Sequence, residues 1–227
     1  MIRIEKTDVF GWEAAIRGMR NPMNSWSKSD SHPCWSSDAP NGGCASCENK
    51  GAENCHADQW VIGENDLDLM KRLVKAGSDH AKFLRMINVT CDITAMQPWW
   101  AEFDTYKVGT VRNSCSKMHK IHVKKFTLSD FEHQGIAEVG EPAMAALEAM
   151  IEMCNWLRKR FNETKEKKYW RALIEFLPEG YRMKATVQLN YQVLRTQYRA
   201  RKGHKIAEWH DYCAWAESLP YSELITE

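Results

Sequence analysis

The pattern of apolar and polar positions predicts that the chain starts with a strand followed by a helix. Ile2 and Ile4 alternate with polar residues and Val9 follows them, which is typical of a strand over residues 1–10. Residues 11–20 predict a short helix, because an Asn-Pro pair comes directly after them and stops helical hydrogen bonding. The first two elements are therefore a strand and a helix.

The middle of the chain combines a long polar segment with further elements. Residues 21–60 are rich in Ser, Asn, Gly, Pro and Cys, which predicts a long loop. Gly63 and the polar residues after it predict the start of a helix that ends at Gly77. The apolar face of this helix consists of Leu67, Leu69, Met70, Leu73 and Val74. Residues 84–93 are β-branched and partly alternating, which predicts a strand, and residues 98–106 predict a short aromatic helix.

The second half of the chain is predicted to be mainly helical. Four helices are expected, at residues 142–160, 169–177, 185–203 and 204–219. In the first of them the apolar residues recur at helical spacing, namely Met144, Leu147, Met150, Ile151 and Cys154. Together these elements predict an α+β fold, organised as a single domain over residues 1–227 with a helix-rich C-terminal half.

Composition places the chain among ordinary globular proteins. Its 227 residues are 44% hydrophobic and include ten Trp, enough for a large core. The net charge of +1 gives no global field that would mark a nucleic-acid or membrane binder. No apolar stretch approaches the roughly 20 residues that span a bilayer, and the first residues lack the apolar segment of a signal peptide. We therefore expect a cytoplasmic protein without a membrane or nucleic-acid partner.

Four of the eight cysteines fall within the long loop. Cys34, Cys44, Cys47 and Cys55 follow as C-x9-C-x2-C-x7-C. In a reducing compartment such clusters are metal ligands more often than disulfides. Four thiolates suit a tetrahedral zinc ion or an iron–sulfur cluster. The sequence predicts one of these metals in the loop, and the alternative is a flexible loop with incidental thiols.

A run from residue 83 to residue 117 resembles a known family. It contains FLRMINVT at residues 83–90, WWAEF at residues 99–103 and NSCSK at residues 113–117. The order and nearly ungapped spacing of these segments resemble the flavin-dependent (ThyX-type) thymidylate synthases. Shorter similarities extend over most of the chain, including a Leu-Pro pair at 177–178. The resemblance implies a thymidylate synthase-like fold with a mixed sheet.

The same comparison shows which family side chains are replaced. Without gaps, the family's Glu-His pair falls on Arg85-Met86, and its Arg-His-Arg falls on Thr105-Tyr106-Lys107. Lys107 keeps a positive charge without the planar guanidinium fork, and Met86 can only pack. Each lost charge-assisted hydrogen bond is worth about 1.5–3 kcal/mol. We therefore expect FAD to bind more weakly than in the family.

Near the end of the chain the resemblance keeps some contacts and changes others. Asn190 matches a family Asn that touches flavin, whereas a family Arg falls on Gln192 and a family Asn on Thr196. The resemblance implies cofactor contacts at Thr90, Thr105, Tyr106, Lys107 and Asn190.

The nucleotide and catalytic positions follow from the same resemblance. Cys115 takes the place of the family's active-site Ser, which contacts the nucleotide phosphate region, and with Ser116 it is the predicted catalytic pair. A thiol beside several cations is suited to act as a nucleophile. The alternative is a small buried hydrophobe. Predicted nucleotide contacts are Ser114, Lys117, Arg199 and Arg201, of which Arg201 matches a family Arg that holds the nucleotide.

The resemblance implies an enzyme that transfers a one-carbon unit from methylenetetrahydrofolate to C5 of dUMP or a related pyrimidine nucleotide. FAD would be the cofactor, NADPH the reductant, and the assembly a homotetramer with active sites shared between subunits. Trp99, Trp100 and Phe103 are expected to be core or subunit interface rather than ring-stacking residues. The alternative function is a non-catalytic nucleotide-binding or regulatory protein with a structural metal site.

Overall fold

The computed structural model describes residues 2–34, 60–106 and 108–227. Its strands are β1 (Arg3–Phe10), β2 (His32–Pro33), β3 (Trp60–Val61), β4 (Asn88–Met96), β5 (Val111–Ser114) and β6 (Arg182–Asn190). Its helices are α1 (Trp12–Arg20), α2 (Glu64–Lys75), α3 (Gln97–Phe103), α4 (Lys117–Lys120), α5 (Gln134–Val139), α6 (Glu141–Thr164), α7 (Lys167–Phe176), α8 (Tyr191–Arg201), α9 (Glu208–Glu217) and α10 (Glu223–Thr226).

Four strands form one sheet in the order β1-β4-β6-β5. Every described pair in it is antiparallel, so the expectation of a mixed sheet is wrong. β4 alternates strictly between buried and half-buried residues, because successive side chains of a strand point to opposite faces. The buried face of β4 consists of Val89, Cys91, Ile93 and Ala95. On the other face Asp92 accepts a hydrogen bond from the Thr186 hydroxyl and pairs with Lys184 at 2.9 Å.

The buried face of the sheet packs on an aromatic core. Trp99 stacks on Phe103 with 5.2 Å between ring centroids, and Trp209 lies 4.8 Å from Trp99. Trp99, Trp100 and Phe103 are almost fully buried, which confirms that they belong to the core. Each such aromatic pair contributes about 0.5–1.5 kcal/mol to stability beyond the effect of the surface area that it buries. A second apolar cluster lies between α6, α7 and the segment before α5, and Tyr181 packs against both clusters.

The predicted helix over residues 185–203 begins too early, because only its second part is helical. This segment contains the end of β6 and the whole of α8. The β-branched and apolar residues of β6 alternate with polar ones and are buried at every second position through most of the strand. Asn190 then stops the strand and begins α8, because its Oδ1 accepts the Val193 N–H at 3.0 Å.

The predicted strand over residues 84–93 begins too early. Lys82–Arg85 forms a 3₁₀ turn and β4 starts at Asn88, so Met86 is not a strand residue. The strand and helix predicted for residues 1–20, the helix after Gly63 and the helices over 142–160 and 169–177 are confirmed with small shifts at their ends.

The predicted metal loop lies mostly outside the described residues. Of its four cysteines only Cys34 is described, directly after β2, while Cys44, Cys47 and Cys55 are not. Within the described ranges no group of three His, Cys, Asp or Glu side chains is placed to hold a metal ion. The structure therefore gives no support to a metal or to a metal-stapled insertion. Among the described helices, none is long and apolar enough to cross a membrane.

Candidate functional site

A cavity of about 400 Å³ lies where β6 ends and α8 begins. We call it the Asn190 cavity. It is lined by Arg85, Thr105, Tyr106, Val108, Gly109, Asn190, Gln192, Val193 and Thr196. The turn after α3 supplies one wall and the first turns of α8 supply the other. Its volume is within the range of small-molecule sites.

Gly109 keeps the Asn190 cavity open. Its φ is +81°, a left-handed conformation that side-chain-bearing residues rarely adopt. A Cβ at this position would lie 2.9 Å from Asn190 Nδ2 and 3.2 Å from Val193 Cγ2. Since Asn190 Oδ1 already accepts the Val193 N–H, its Nδ2 is the group left to donate beside Gly109.

Gln192, which lines this cavity, carries an unsatisfied acceptor below the surface. Its Oε1 is buried and has no hydrogen-bond partner among the described residues. A buried polar atom without a partner costs about 1–3 kcal/mol, so such atoms usually meet a ligand or water. The lining residues thus supply a donor on Asn190 and a buried acceptor without a described partner on Gln192.

A network of polar and aromatic side chains supports the cavity from outside. Arg201 Nε donates to the Tyr106 hydroxyl at 3.0 Å, and Arg201 Nη1 lies 2.9 Å from Glu102 Oε2. Trp209 Nε1 donates to the same carboxylate oxygen at 2.8 Å, and His204 Nε2 lies 3.3 Å from it. The Arg201 guanidinium also lies over the Trp209 ring, 4.9 Å from its centroid. Arg201 therefore borders the Asn190 cavity through Tyr106 and is already paired.

A second cavity of about 470 Å³ surrounds the predicted catalytic pair, and we call it the Cys115 cavity. Cys115 is exposed, and its backbone N–H donates to the Lys184 carbonyl at 2.9 Å. Ser116 Oγ accepts the His119 N–H at 3.1 Å and caps α4. The cationic residues lining this cavity are Arg3, Lys117, Lys120, Lys124, Lys125, Arg182 and Lys184.

Some of these cations are neutralised by the protein and others are not. Lys124 lies 2.8 Å from Asp130, and Lys184 pairs with Asp92. Lys117 donates to the neutral amide of Gln97. Lys120, like Lys125, has no carboxylate partner among the described residues. The Cys115 cavity is therefore suited to an anion such as a phosphate.

The two cavities lie at opposite ends of β6. Lys184 lines the Cys115 cavity and Asn190 lines the other, six residues further along the strand. At about 3.3 Å per residue this is about 20 Å. The structure thus brings together Thr105, Tyr106 and Asn190, but separates them from Cys115 within one chain.

The remaining predicted site residues are dispersed. Thr90 lies on β4 and lines neither cavity, and Ser114 is the last residue of β5. Arg199 lines a third cavity between α2 and α8. Lys107 is outside the described residues. Sequence reasoning missed Gly109, for which a Lys-Val-Gly sequence directly after a helix was the available signal.

The environments of the described cysteines differ in a way that bears on reactivity. Burial raises the pKa of Cys91 to about 12, and the pKa values of Cys154 and Cys213 to about 11. Such thiols are protonated at neutral pH and inert. Cys115 is the exposed thiol beside a group of lysines, which is the setting that a nucleophile needs.

Solved structures with a similar fold exist. Two crystal structures of the flavin-dependent thymidylate synthase ThyX from Helicobacter pylori, each complexed with FAD and dUMP, are similar to this chain. One has a TM-score of 0.65 and 13% identity, covering 98% of this chain and 97% of that one. The other has a TM-score of 0.64 and 13% identity, covering 100% and 97%. The chain has the fold of a flavin-dependent thymidylate synthase.

No family model matches the sequence, and no curated protein matches it at a significant level. The similarity to the thymidylate synthases is therefore one of structure over nearly the whole chain, with most side chains changed. At this level of identity the shared feature is the backbone arrangement, so the chemistry has to be argued from the side chains present.

Proposed function

We propose that the Asn190 cavity binds the flavin ring of FAD and that the protein is a thymidylate synthase-like enzyme acting on dUMP or a related pyrimidine nucleotide. One observation carries this proposal. Five residues that the sequence comparison lays on flavin-contacting positions line one cavity, namely Thr105, Tyr106, Asn190, Gln192 and Thr196, whereas Thr90 does not line it. The similar ThyX structures hold FAD and dUMP.

The side chains present fit a flavin ring. The unsatisfied Gln192 Oε1 suits an N–H on the ring, and Asn190 Nδ2 suits a ring carbonyl. Gly109 leaves the space that a Cβ would fill. Among the described residues that line the cavity, Arg85 is the one with a positive charge. It stands where the family has a carboxylate. When bound, FAD supplies hydride transfer, while the protein binds, orients and shields it.

The Cys115 cavity is proposed to hold the nucleotide phosphate. Lys117, Lys120 and Lys125 supply positive charge, and Ser114 and Ser116 supply hydroxyls nearby. Since this cavity lies about 20 Å from the Asn190 cavity along β6, we propose that the site is completed between subunits of a homotetramer. Cys115 of one subunit then approaches the flavin held by another.

Turnover distinguishes this function from a non-catalytic binding role. Purified protein is incubated with dUMP, methylenetetrahydrofolate, NADPH and FAD, and dTMP is measured by mass spectrometry together with hydroxymethylated products. We expect a one-carbon product that requires FAD. Binding of FAD and dUMP without any product would favour the regulatory alternative. Lack of binding of both would refute the proposed function.

A further inference from the structure

The third cavity, between α2 and α8, has a volume of about 700 Å³. We call it the Arg195 cavity. It is lined by Lys71, Arg72, Val74, Lys75, Gly77, Ser78, Gln192, Arg195, Arg199 and Glu227. Of these described lining residues, five are cationic and one, Glu227, is acidic. Two of the five cations pair with carboxylates outside the lining, Lys71 with Glu223 and Arg72 with Asp68, and the lining still has more cationic than acidic residues.

Arg195 is the buried cation of this cavity. It is 7% exposed, and its Nη2 makes a long hydrogen bond of 3.4 Å to the Val74 carbonyl. Its Nε has no partner among the described residues, and no carboxylate of that part of the chain lies within ion-pair distance. Burial, together with the charge of Arg199, lowers the pKa of Arg195, and the negative charge of Glu227 offsets part of this lowering. An arginine stays charged in proteins, so this guanidinium lacks the anion that buried charges normally have.

The cations around Arg195 reinforce the need for an anion. Arg199 donates to the terminal main-chain oxygen of Glu227, which belongs to a carboxylate, whereas Lys75 has no carboxylate partner among the described residues. Lys71 lies 3.4 Å from a carboxylate of Glu223, which does not line the cavity. Among the described residues, two positive side chains thus face this space without a paired carboxylate, at Lys75 and Arg195.

Gln192 connects this cavity to the Asn190 cavity, since it lines both. Residues three and four apart are neighbours on a helix surface. Thr196, at i+4 from Gln192, faces the Asn190 cavity, whereas Arg195, at i+3, faces the Arg195 cavity. One ligand can therefore extend from one cavity to the other around α8.

We propose that the Arg195 cavity binds the diphosphate of the dinucleotide cofactor whose ring lies in the Asn190 cavity. This inference rests on the proposed function. A dinucleotide carries its anionic diphosphate beside the ring-bearing arm, and guanidinium forks bind phosphate oxygens bidentately. The replacement of family arginines at Thr105 and Gln192 removes positive charge from the ring cavity. Arg195 and Arg199 supply positive charge one to two turns after Gln192 on α8.

The test compares riboflavin, FMN and FAD by fluorescence titration of the whole chain. We expect FAD to bind at least about 30-fold more tightly than riboflavin, because only FAD carries the diphosphate. Lys75→Gln and Arg199→Gln should each lower the affinity for FAD about tenfold and leave the affinity for riboflavin unchanged. Arg171→Gln, an exposed change on α7 that removes the same charge, is the control. Inorganic pyrophosphate should displace FAD and not riboflavin.

The outcomes separate this inference from the proposed function. If riboflavin and FAD bind equally, and Lys75→Gln changes neither, the Arg195 cavity does not hold the diphosphate although the flavin site stands. If pyrophosphate binds without displacing FAD, the assignment to the cofactor is wrong. If none of the three flavins binds, the proposed function fails and this inference fails with it. Since Arg195 is buried and its replacement affects folding, the test relies on the two more peripheral cations.

Discussion

Glu102 on α3 and Arg201 at the end of α8 form an ion pair, with 2.9 Å between Glu102 Oε2 and Arg201 Nη1. The Arg201 side chain is 17% exposed, and its Nε is bonded to Tyr106 in the wall of the Asn190 cavity. The pair fixes the turn after α3 against α8. It also means that Arg201 must share or exchange its carboxylate partner if it is to hold a nucleotide.

The first prediction separates these two roles of Arg201. Arg201→Ala should weaken dUMP binding about 30-fold, because it removes a charge-assisted contact from a partly desolvated site. Glu102→Gln releases the guanidinium from its carboxylate and should leave dUMP binding unchanged or stronger. Calorimetric titration measures both, with Arg171→Ala as the surface control. An equal loss in the Arg201 and Glu102 variants would show that the pair is only structural.

The second prediction concerns the buried ion pair of Arg20 and Asp66. Arg20 Nε lies 2.6 Å from Asp66 Oδ1, and both side chains are almost fully buried. Asp66→Asn leaves a buried guanidinium without its anion and should lower the free energy of unfolding by about 3 kcal/mol or more. Asp68→Asn, two residues further along α2, breaks an exposed pair and should cost less than about 1 kcal/mol. Denaturant unfolding of both variants decides this, and equal losses would contradict it.

The third prediction is the pH dependence of the same site. Burial raises the pKa of Asp66, but hydrogen bonds from Ser29, Ser31 and Arg20 outweigh it, so the net pKa lies below the ordinary value of 3.8. The stability from this carboxylate is therefore fully present above 3.8 and is lost as the pH falls through the lowered pKa. Stability of the natural chain should fall more steeply below pH 4 than that of Asp66→Asn. Parallel curves for the two would refute this.

The fourth prediction restores a family charge to the Asn190 cavity. Thr105→Arg places a guanidinium at the cavity wall and should tighten FAD binding about tenfold, the value of one charge-assisted bond. Gln134→Arg adds the same charge on the exposed surface of α5 and should have no effect. Fluorescence titration with FAD measures both. Tight binding of FAD at full occupancy in the natural chain would show that the replaced side chains are already compensated.

Much of the fold could be predicted from local patterns because its elements are amphipathic. α1 and α2 have apolar stripes at helical spacing and clear ends, and both were predicted near their observed bounds. β6 was missed because its apolar residues adjoin those of α8 without a Gly or Pro between them. Its strand conformation depends on pairing with β4, a contact between distant parts of the chain.

Residues of the candidate site could be predicted only where the resemblance to the family indicated them. Thr105, Tyr106 and Asn190 do line one cavity, although Asn190 lies more than 80 residues from the other two in sequence. Gly109 and Arg195 gain their roles from packing against Asn190 and Val74, which no local pattern reports. The separation of Cys115 from Asn190 likewise follows from their places at opposite ends of β6.

The central claim is that the Asn190 cavity binds flavin, and a titration of Gly109→Ala with FAD tests it most directly. A Cβ at Gly109 enters the cavity against Asn190 and Val193, whereas Gly135→Ala on α5 meets no neighbour within 4 Å. We predict saturable binding of one FAD per chain in the natural protein and in Gly135→Ala, and a loss of at least about tenfold in affinity in Gly109→Ala. No saturable FAD binding in the natural chain, or the same affinity in all three proteins, would contradict the account.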